Sequence, residues 1–489
     1  MMKLLVLLCV IPYVLTLNVT VVEPPLRVEL LPPKEALQRD ARNVQTLWIT
    51  MPIDHFDPHN RDTFQMRYMV NEQFFGGDDS PIFIFVGGEW AISTGWLLAG
   101  NMYTMAEENN GYMVYTEHRY YGQTLPYAQF TIENLRFLNV DQALADLAYF
   151  IHEMKKSPRF ANSKVIMYGG SYAANMVLWF KQRYSHLVEG VIASSGPILA
   201  EVDFHGYLET VHNAFLSEGG EQCINTIGQG IADAVAALDT EAGRIMLRDL
   251  FRLCELPNVD DRFDLGYFSG IISWAFSGSV QSATPGSLFN LCQLFLGTQF
   301  GSTPIEKIAG YLAWNYGTGG CFGNFQTLLN AYSGNCVVPY STRNPYGFAM
   351  FVRLSVRVLA QRKLYFGMAR AWYYQTCTEY GYFQIAPTSG TAFDSLRWLT
   401  VEFYAEVCKR AFDERFDEQF IYDAAERVNT VFGGLYPDVN NTINIHGMLD
   451  PWRAIGVFDR DLKDNSPTID VPRQVSILLQ PIHREEMNI

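Results

Sequence analysis

The chain alternates short apolar runs with longer amphipathic stretches. Ile82-Phe83-Ile84-Phe85-Val86, Tyr112-Met113-Val114-Tyr115, Val165-Ile166-Met167-Tyr168 and Val191-Ile192-Ala193 contain no polar alternate other than tyrosine. Strands covered on both faces read this way, because neither face has water to receive polar side chains. Between the second and third runs, Val140, Ala143, Leu144, Leu147, Ala148, Ile151 and Met154 recur at helical spacing, which predicts a one-sided helix over residues 140–154. A second helix is predicted from about Ala173 to Tyr184. Strand–helix–strand alternation predicts a parallel sheet of the α/β class.

From residue 199 to about 365 the pattern becomes mostly helix-like, with breaks such as Gly317-Thr318-Gly319-Gly320. This reads as a helical cap inserted into the α/β unit. The sheet pattern returns at Thr442-Ile443-Asn444-Ile445 and Val475-Ser476-Ile477-Leu478-Leu479. The α/β domain is therefore expected in two parts, 18–198 and 366–489, on either side of a cap at 199–365. No internal repeat is visible.

The N-terminus changes the picture of where the protein works. Met1-Met2-Lys3 followed by Leu4 to Ile11 has the basic start and apolar middle of a signal peptide, expected over residues 1–17. The apolar run is too short to span a bilayer and Pro12 interrupts it; no later segment is long enough either. A secreted or lysosomal protein is expected. Sequons at Asn18 and Asn440 agree with a glycosylated secretory product. Beyond the signal lie Cys223, Cys254, Cys292, Cys321, Cys336, Cys377 and Cys408, which should largely pair in an oxidising compartment, with at least one left over. Their confinement to 223–408 suggests one stapled middle region. No C-x-x-C pair occurs, so zinc is not expected. The net charge of −15 argues against nucleic acid and anionic membrane as partners.

The chemistry centres on Tyr168-Gly169-Gly170-Ser171-Tyr172-Ala173-Ala174-Asn175. This is the G-x-S-x-G turn of an activated serine with Ala173 in place of the last glycine. Ser171 falls between a predicted strand and a predicted helix, as a nucleophile elbow requires. Taken alone, the motif reads equally well as a glycine-rich turn without chemistry. A serine nucleophile needs a base, and the base needs an orienting acid. Asp450 follows the strand at 442–445 and His483 follows the strand at 475–479, giving the chain order serine, acid, histidine. All three then project from the carboxyl ends of strands, where open α/β sheets place their sites. His446, also at a strand end, is the competing base, but it would invert that order. His55, His59, His118, His152, His186, His205 and His212 lie too early or in the cap. In the loop Gly87-Gly88-Glu89-Trp90, the Gly88 N–H could join the Tyr172 N–H in an oxyanion hole. The alternative is a plain glycine turn.

At this point the residues resemble a family, the S28 serine peptidases, over nearly the whole mature chain. The strings that carry the resemblance include Asp54-His55-Phe56, Gly87-Gly88-Glu89, Glu117-His118-Arg119-Tyr120-Tyr121-Gly122 and Asn134-Leu135-Arg136-Phe137-Leu138. Gly169-Gly170-Ser171-Tyr172, Gln375-Thr376-Cys377-Thr378-Glu379-Tyr380-Gly381 and Asp450-Pro451-Trp452 continue it in order. The resemblance implies an α/β-hydrolase fold with a helical, disulfide-containing cap and a Ser171–Asp450–His483 triad. It implies a serine exopeptidase, a carboxypeptidase or dipeptidyl peptidase, cleaving near proline, often at acidic pH. It also implies a Cys377–Cys408 disulfide, and Glu89 and Trp452 become candidate substrate-binding residues. A peptide substrate is the expected partner, with no cofactor or metal; a homodimer is left open. Three departures stand out: Ala173-Ala174 where the family has two glycines, His446 where it has asparagine, and an end at Ile489, six residues past His483. They leave as the alternative a catalytically impaired homologue acting as a binding protein; an esterase on the same fold fits the triad but not these strings.

Overall fold

The computed structural model describes residues 21–22, 32–318, 320–333, 367–457, 462–463 and 465–472. The signal segment, Asn18, the last part of the cap, Cys336, the strand expected at 475–479 and His483 lie outside these residues.

Among the described residues, eight strands form one sheet: β1 (Val44–Pro52), β2 (Thr63–Asn71), β3 (Ile82–Val86), β4 (Tyr112–Thr116), β5 (Val165–Gly170), β6 (Gly190–Ser194), β7 (Thr442–Gly447) and β8 (Thr468–Val471). Their spatial order is β1-β2-β4-β3-β5-β6-β7-β8. β2 runs antiparallel to both of its neighbours, and the ladders from β4 through to β8 are parallel. Every residue of β3 and β4 is buried, which is why those runs carry no polar alternate. β1 and β2 gave no such run. β1 is largely open to solvent, with only Met51 fully buried, and its residues mix Gln, Thr and Trp. β8 is a short edge strand with one buried residue. The sheet order, the single reversed strand and the serine turn after the fifth strand define an α/β-hydrolase fold.

The helices Val140–Lys155 and Tyr172–Arg183 lie where the apolar spacing placed them, the first capped by the Asn139 side chain accepting from the Gln142 N–H. Between β6 and residue 333, the described residues form six α-helices: Gly206–Ala236, Glu241–Phe251, Arg262–Gln281, Ser287–Leu296, Pro304–Tyr316 and Phe325–Ser333. The first is broken at Gly220, where φ is +79°. Two disulfides staple this region, Cys223–Cys292 and Cys254–Cys321. The third, Cys377–Cys408, ties the turn Thr376–Tyr380 to the helix Val401–Ala411 in the returning half of the α/β unit. The cysteines thus staple two regions rather than one. A single apolar core runs from Met51 on the sheet through Ile227, Phe276 and Tyr311 in the helical region to Val457, so the helices do not sit on a separate core.

The register fixes the working edge. Gly170 on β5 is level with Ser194 on β6, and Ser194 is level with Ile445 on β7. The carboxyl ends of three adjacent parallel strands therefore open together.

Candidate active site

Ser171 occupies the step between β5 and the helix Tyr172–Arg183. Its φ and ψ are +54° and −131°, a conformation that a residue with a side chain rarely adopts and that costs about 1–3 kcal/mol. The neighbours hold it there. The Ser171 N–H donates to the Ser194 carbonyl at 2.9 Å, and the Ser171 carbonyl accepts from the Ala174 N–H at 2.9 Å. The chain doubles back so tightly that a Cβ on Gly169 would lie 2.0 Å from the Ala173 carbonyl oxygen. Glycine is thus required at 169 by a backbone contact. Residues 172–181 are all buried, while Ser171 remains partly exposed. The turn presents the hydroxyl at the open end of the sheet. Ala173 and Ala174 are fully buried and pack as small core residues. Their methyl groups fill space that the elbow leaves available.

Asp450 follows β7 and caps the short 3₁₀ turn Pro451–Ile455, with its Oδ1 accepting from the Trp452 N–H at 3.0 Å. The residue is 3% exposed, and Oδ2 is buried without a hydrogen-bond partner among the described residues. Burial pushes the carboxyl up to about 7, against smaller lowering effects from the adjacent Ser195 side chain, which stands outside good hydrogen-bond geometry, and from the Trp452 N–H. A buried carboxylate with a free oxygen is stabilised by an imidazolium beside it, which is the role of a triad acid. The connection to Ser171 runs through β6: Ser171 bonds to Ser194, and the Ser195 N–H donates to the Ile445 carbonyl at 2.8 Å.

His446, the competing base, is buried. Burial lowers it to about 4, and the charges that act on it are Asp470 and Arg453 rather than Asp450. Its ring packs against the turn after the acid, where a Cβ on Gly456 would lie 2.4 Å from Cε1.

The loop after β3 faces the elbow from the other side. The Gly87 N–H is already bonded to the Thr116 carbonyl at 2.9 Å, which leaves Gly88 as the amide of this pair that the strand does not use. A Cβ on Gly88 would meet the Trp90 ring at 2.6 Å, and Trp90 Nε1 donates to the Tyr115 hydroxyl at 2.7 Å. Glu89 has one carboxylate oxygen, Oε2, buried without a partner among the described residues, and burial pushes its carboxyl up to about 7. Its charge acts on Tyr172, Tyr121 and Tyr382, and also on Tyr115 of β4.

Two buried ion pairs that sequence reading left without a role support this frame. Glu117 accepts from Arg67 Nε at 3.0 Å, from the Ile92 N–H at 3.0 Å and from the Gln123 N–H at 2.9 Å; Arg67 also donates to the Ile92 carbonyl at 3.1 Å. This pair fastens the Gly88 loop to β2. Arg119 donates twice to Asp146, at 2.6 and 2.7 Å, and Asp146 also meets His55 Nε2 at 2.7 Å. The signal was present in the sequence: charges following the apolar run 112–116 can be buried only with partners.

A chain of aromatic rings joins the two halves of the site. Centroid distances are 5.4 Å for Tyr172–Tyr380, 5.3 Å for Tyr380–Tyr382 and 5.5 Å for Tyr382–Trp452. Trp372 flanks Tyr172 at 5.5 Å. Trp372 and Trp452 remain partly exposed, so this wall has open faces.

A strained serine at a strand–helix turn, beside a buried acid on the second strand over, defines a serine hydrolase of the α/β-hydrolase class. Comparison with known proteins narrows the class. Residues 51–471 match the profile of the family described as Serine carboxypeptidase S28, and the chain belongs to that family as a serine-type peptidase. A Caenorhabditis elegans protein named as a serine protease is 30% identical over 433 residues, covering 85% of this chain and 79% of that one. The thymus-specific serine protease of Mus musculus is 27% identical over 432 residues (87% and 80%). The lysosomal Pro-X carboxypeptidase of Homo sapiens is 26% identical over 450 residues (88% and 82%).

Proposed function

We propose that the protein is a secreted or lysosomal serine exopeptidase that cleaves peptides next to proline through an acyl-enzyme. The observation that carries this reading is the elbow: Ser171 is held at φ +54° with its side chain partly exposed, between the loop of Gly88 and the buried Asp450. Ser171 Oγ attacks the substrate carbonyl and gives its proton to His483, which Asp450 orients and stabilises as the imidazolium. The oxyanion develops toward the N–H groups of Tyr172 and Gly88. His483 then passes the proton to the departing amine, and water releases the acyl group by the same steps in reverse.

Selectivity near proline is supported by the partly open faces of Trp372 and Trp452, flat surfaces of the kind a pyrrolidine ring packs against. Glu89, with its free buried oxygen beside the oxyanion loop, binds a donor on the substrate. The helical cap at 199–365 closes one side of the cleft and favours chain ends over folded proteins. The three disulfides and the exposed sequon at Asn440 support a secretory route.

The test compares matched peptides with proline or alanine at the scissile position, and an ester of the same acyl group, between pH 4 and 8. The proposal expects hydrolysis that favours the proline peptide and a Glu89→Gln variant with raised KM and nearly unchanged kcat. Equal turnover of the proline and alanine peptides sinks the specificity. Turnover of the ester alone sinks the peptidase assignment.

A further inference from the structure

Beneath the elbow lies a buried polar network that the reaction itself does not use. Tyr172, Gln375, Tyr380, Tyr121, Glu379 and His118 are all buried, and their hydrogen bonds can be assigned donor by donor. His118 Nδ1 faces the Arg119 carbonyl at 2.7 Å; a carbonyl only accepts, so Nδ1 carries the proton. His118 Nε2 is then the acceptor, and the Tyr172 hydroxyl donates to it at 3.2 Å. The same hydroxyl oxygen accepts from Gln375 Nε2 at 3.1 Å and from the Tyr380 hydroxyl at 3.2 Å. Gln375 is also fully engaged. Its Oε1 accepts from the Tyr121 hydroxyl at 2.6 Å, and its second N–H goes to Glu379 Oε2 at 3.1 Å. Glu379 Oε1 accepts from the Val140 N–H at 2.8 Å, at the start of the helix Val140–Lys155.

His118, Gln375 and Tyr380 thus all converge on a single hydroxyl. That hydroxyl belongs to the residue immediately after the nucleophile. Three of the contributing residues sit in one turn, 375–380, which the Cys377–Cys408 disulfide anchors to the helix Val401–Ala411. One helical turn further on, Asn175 donates to the Pro197 carbonyl at 3.0 Å and to the Tyr382 hydroxyl at 3.1 Å, so the same segment grips the elbow helix twice.

We propose that Gln375 and Tyr380 are positioning residues of the oxyanion hole: by holding the Tyr172 hydroxyl they fix the first turn of the elbow helix, and with it the Tyr172 N–H. The inference rests on the reading of Ser171 as nucleophile and Tyr172 N–H as an oxyanion donor. Ser171 stands in a sparsely populated conformation, which persists only when its surroundings over-determine it. Its backbone partner on the strand side is the Ser194 carbonyl, and on the helix side its own carbonyl accepts from the Ala174 N–H. The Tyr172 clamp adds a side-chain anchor on the helix side to that backbone bond. An oxyanion donor works only at about 2.7–3.1 Å from the developing charge, and a misplacement of about 1 Å lowers the rate about a hundredfold.

The test uses the full chain with Tyr380→Phe and, separately, Gln375→Met. Tyr380→Phe keeps the ring contacts and removes one donor to Tyr172; Gln375→Met keeps the volume and removes another. The measurements are kcat and KM on a peptide that the wild type cleaves, the affinity of a peptidyl boronic acid that mimics the tetrahedral intermediate, and the unfolding midpoint. The expected result is a fall in kcat of about tenfold or more, part of the loss seen when a whole oxyanion donor is removed. KM stays within about twofold, and boronate affinity falls in step with kcat. Variants that unfold earlier but keep kcat and boronate affinity would overturn the inference, since the network would then only satisfy buried polar atoms. A rise in KM alone would overturn it as well. If Gln375→Met does not fold, Tyr380→Phe decides. A wild type with no Ser171-dependent turnover overturns the peptidase reading and this inference with it, whereas an active wild type matched by both variants overturns this inference alone.

Discussion

Ala173 is the position at which the serine motif departs from its usual form, and the structure gives a quantitative expectation for restoring the glycine. The tight contact of the elbow is made by Gly169, whose Cβ would meet the Ala173 carbonyl oxygen at 2.0 Å. The Ala173 methyl group itself is fully buried in the first turn of the helix Tyr172–Arg183. Ala173→Gly removes one buried methyl, about 0.8 kcal/mol, and adds backbone freedom at a helical position, up to about 1 kcal/mol. The expected loss is about 1–2 kcal/mol, with Ser171 unmoved. Gly169→Ala is the opposite case. Its added carbon presses on a backbone oxygen that cannot rotate away, so strand or helix must shift, at about 3 kcal/mol or more. Urea denaturation alongside kcat/KM on one substrate reads both. Ala173→Gly should lower the midpoint and leave kcat/KM within about twofold, whereas Gly169→Ala should lose both stability and turnover. A tenfold gain in kcat/KM on Ala173→Gly would show that the alanine does distort the elbow, and the reasoning would fail.

Three further outcomes follow from the geometry. Asp450→Asn should lower kcat by about 10⁴-fold, as loss of the orienting acid does in serine hydrolases, while stability at pH 7 holds or rises because a buried carboxylate is removed; a loss under tenfold contradicts its role. Arg67→Met leaves Glu117 buried without its counter-charge and should lower stability by about 3–5 kcal/mol, whereas the double change Arg67→Met with Glu117→Leu should recover much of it. Burial holds Glu379 at about 7, above the 4.5 of a solvated carboxyl, and outweighs its hydrogen bonds from Val140, Gln375 and Tyr380. Folding therefore favours its protonated form, so its contribution is complete below about 4.5 and is lost as pH rises through 7, by about 3 kcal/mol. The urea midpoint should fall between pH 5 and pH 8, and fall less in Glu379→Gln; a midpoint that rises over that range contradicts the burial argument.

The central strands were legible in the sequence because they are buried on both faces; Ile82–Val86 needs no polar residue anywhere. The hairpin of β1 and β2 was not, since its outer strand faces water and mixes polar with apolar residues. Ser171 and Asp450 could be proposed because each follows a readable strand. The supports around them could not. Glu117 and Arg67 are 50 residues apart, and Tyr172 and Gln375 are 203 apart, so no local pattern joins them. The pairing of Cys223 with Cys292 and of Cys254 with Cys321 was hidden for the same reason, being set by how helices of the cap pack.

Ser171 is proposed here as a working nucleophile despite the two alanines behind it. Treating the purified mature protein with a fluorophosphonate probe, and mapping the modified peptide by mass spectrometry beside a Ser171→Ala control, tests it most directly. Labelling is expected at Ser171, abolished in the alanine variant and slowed by Asp450→Asn. Absence of Ser171-dependent labelling at every pH from 4 to 8, in protein shown to be folded, would contradict it and favour a peptide-binding protein on a peptidase fold.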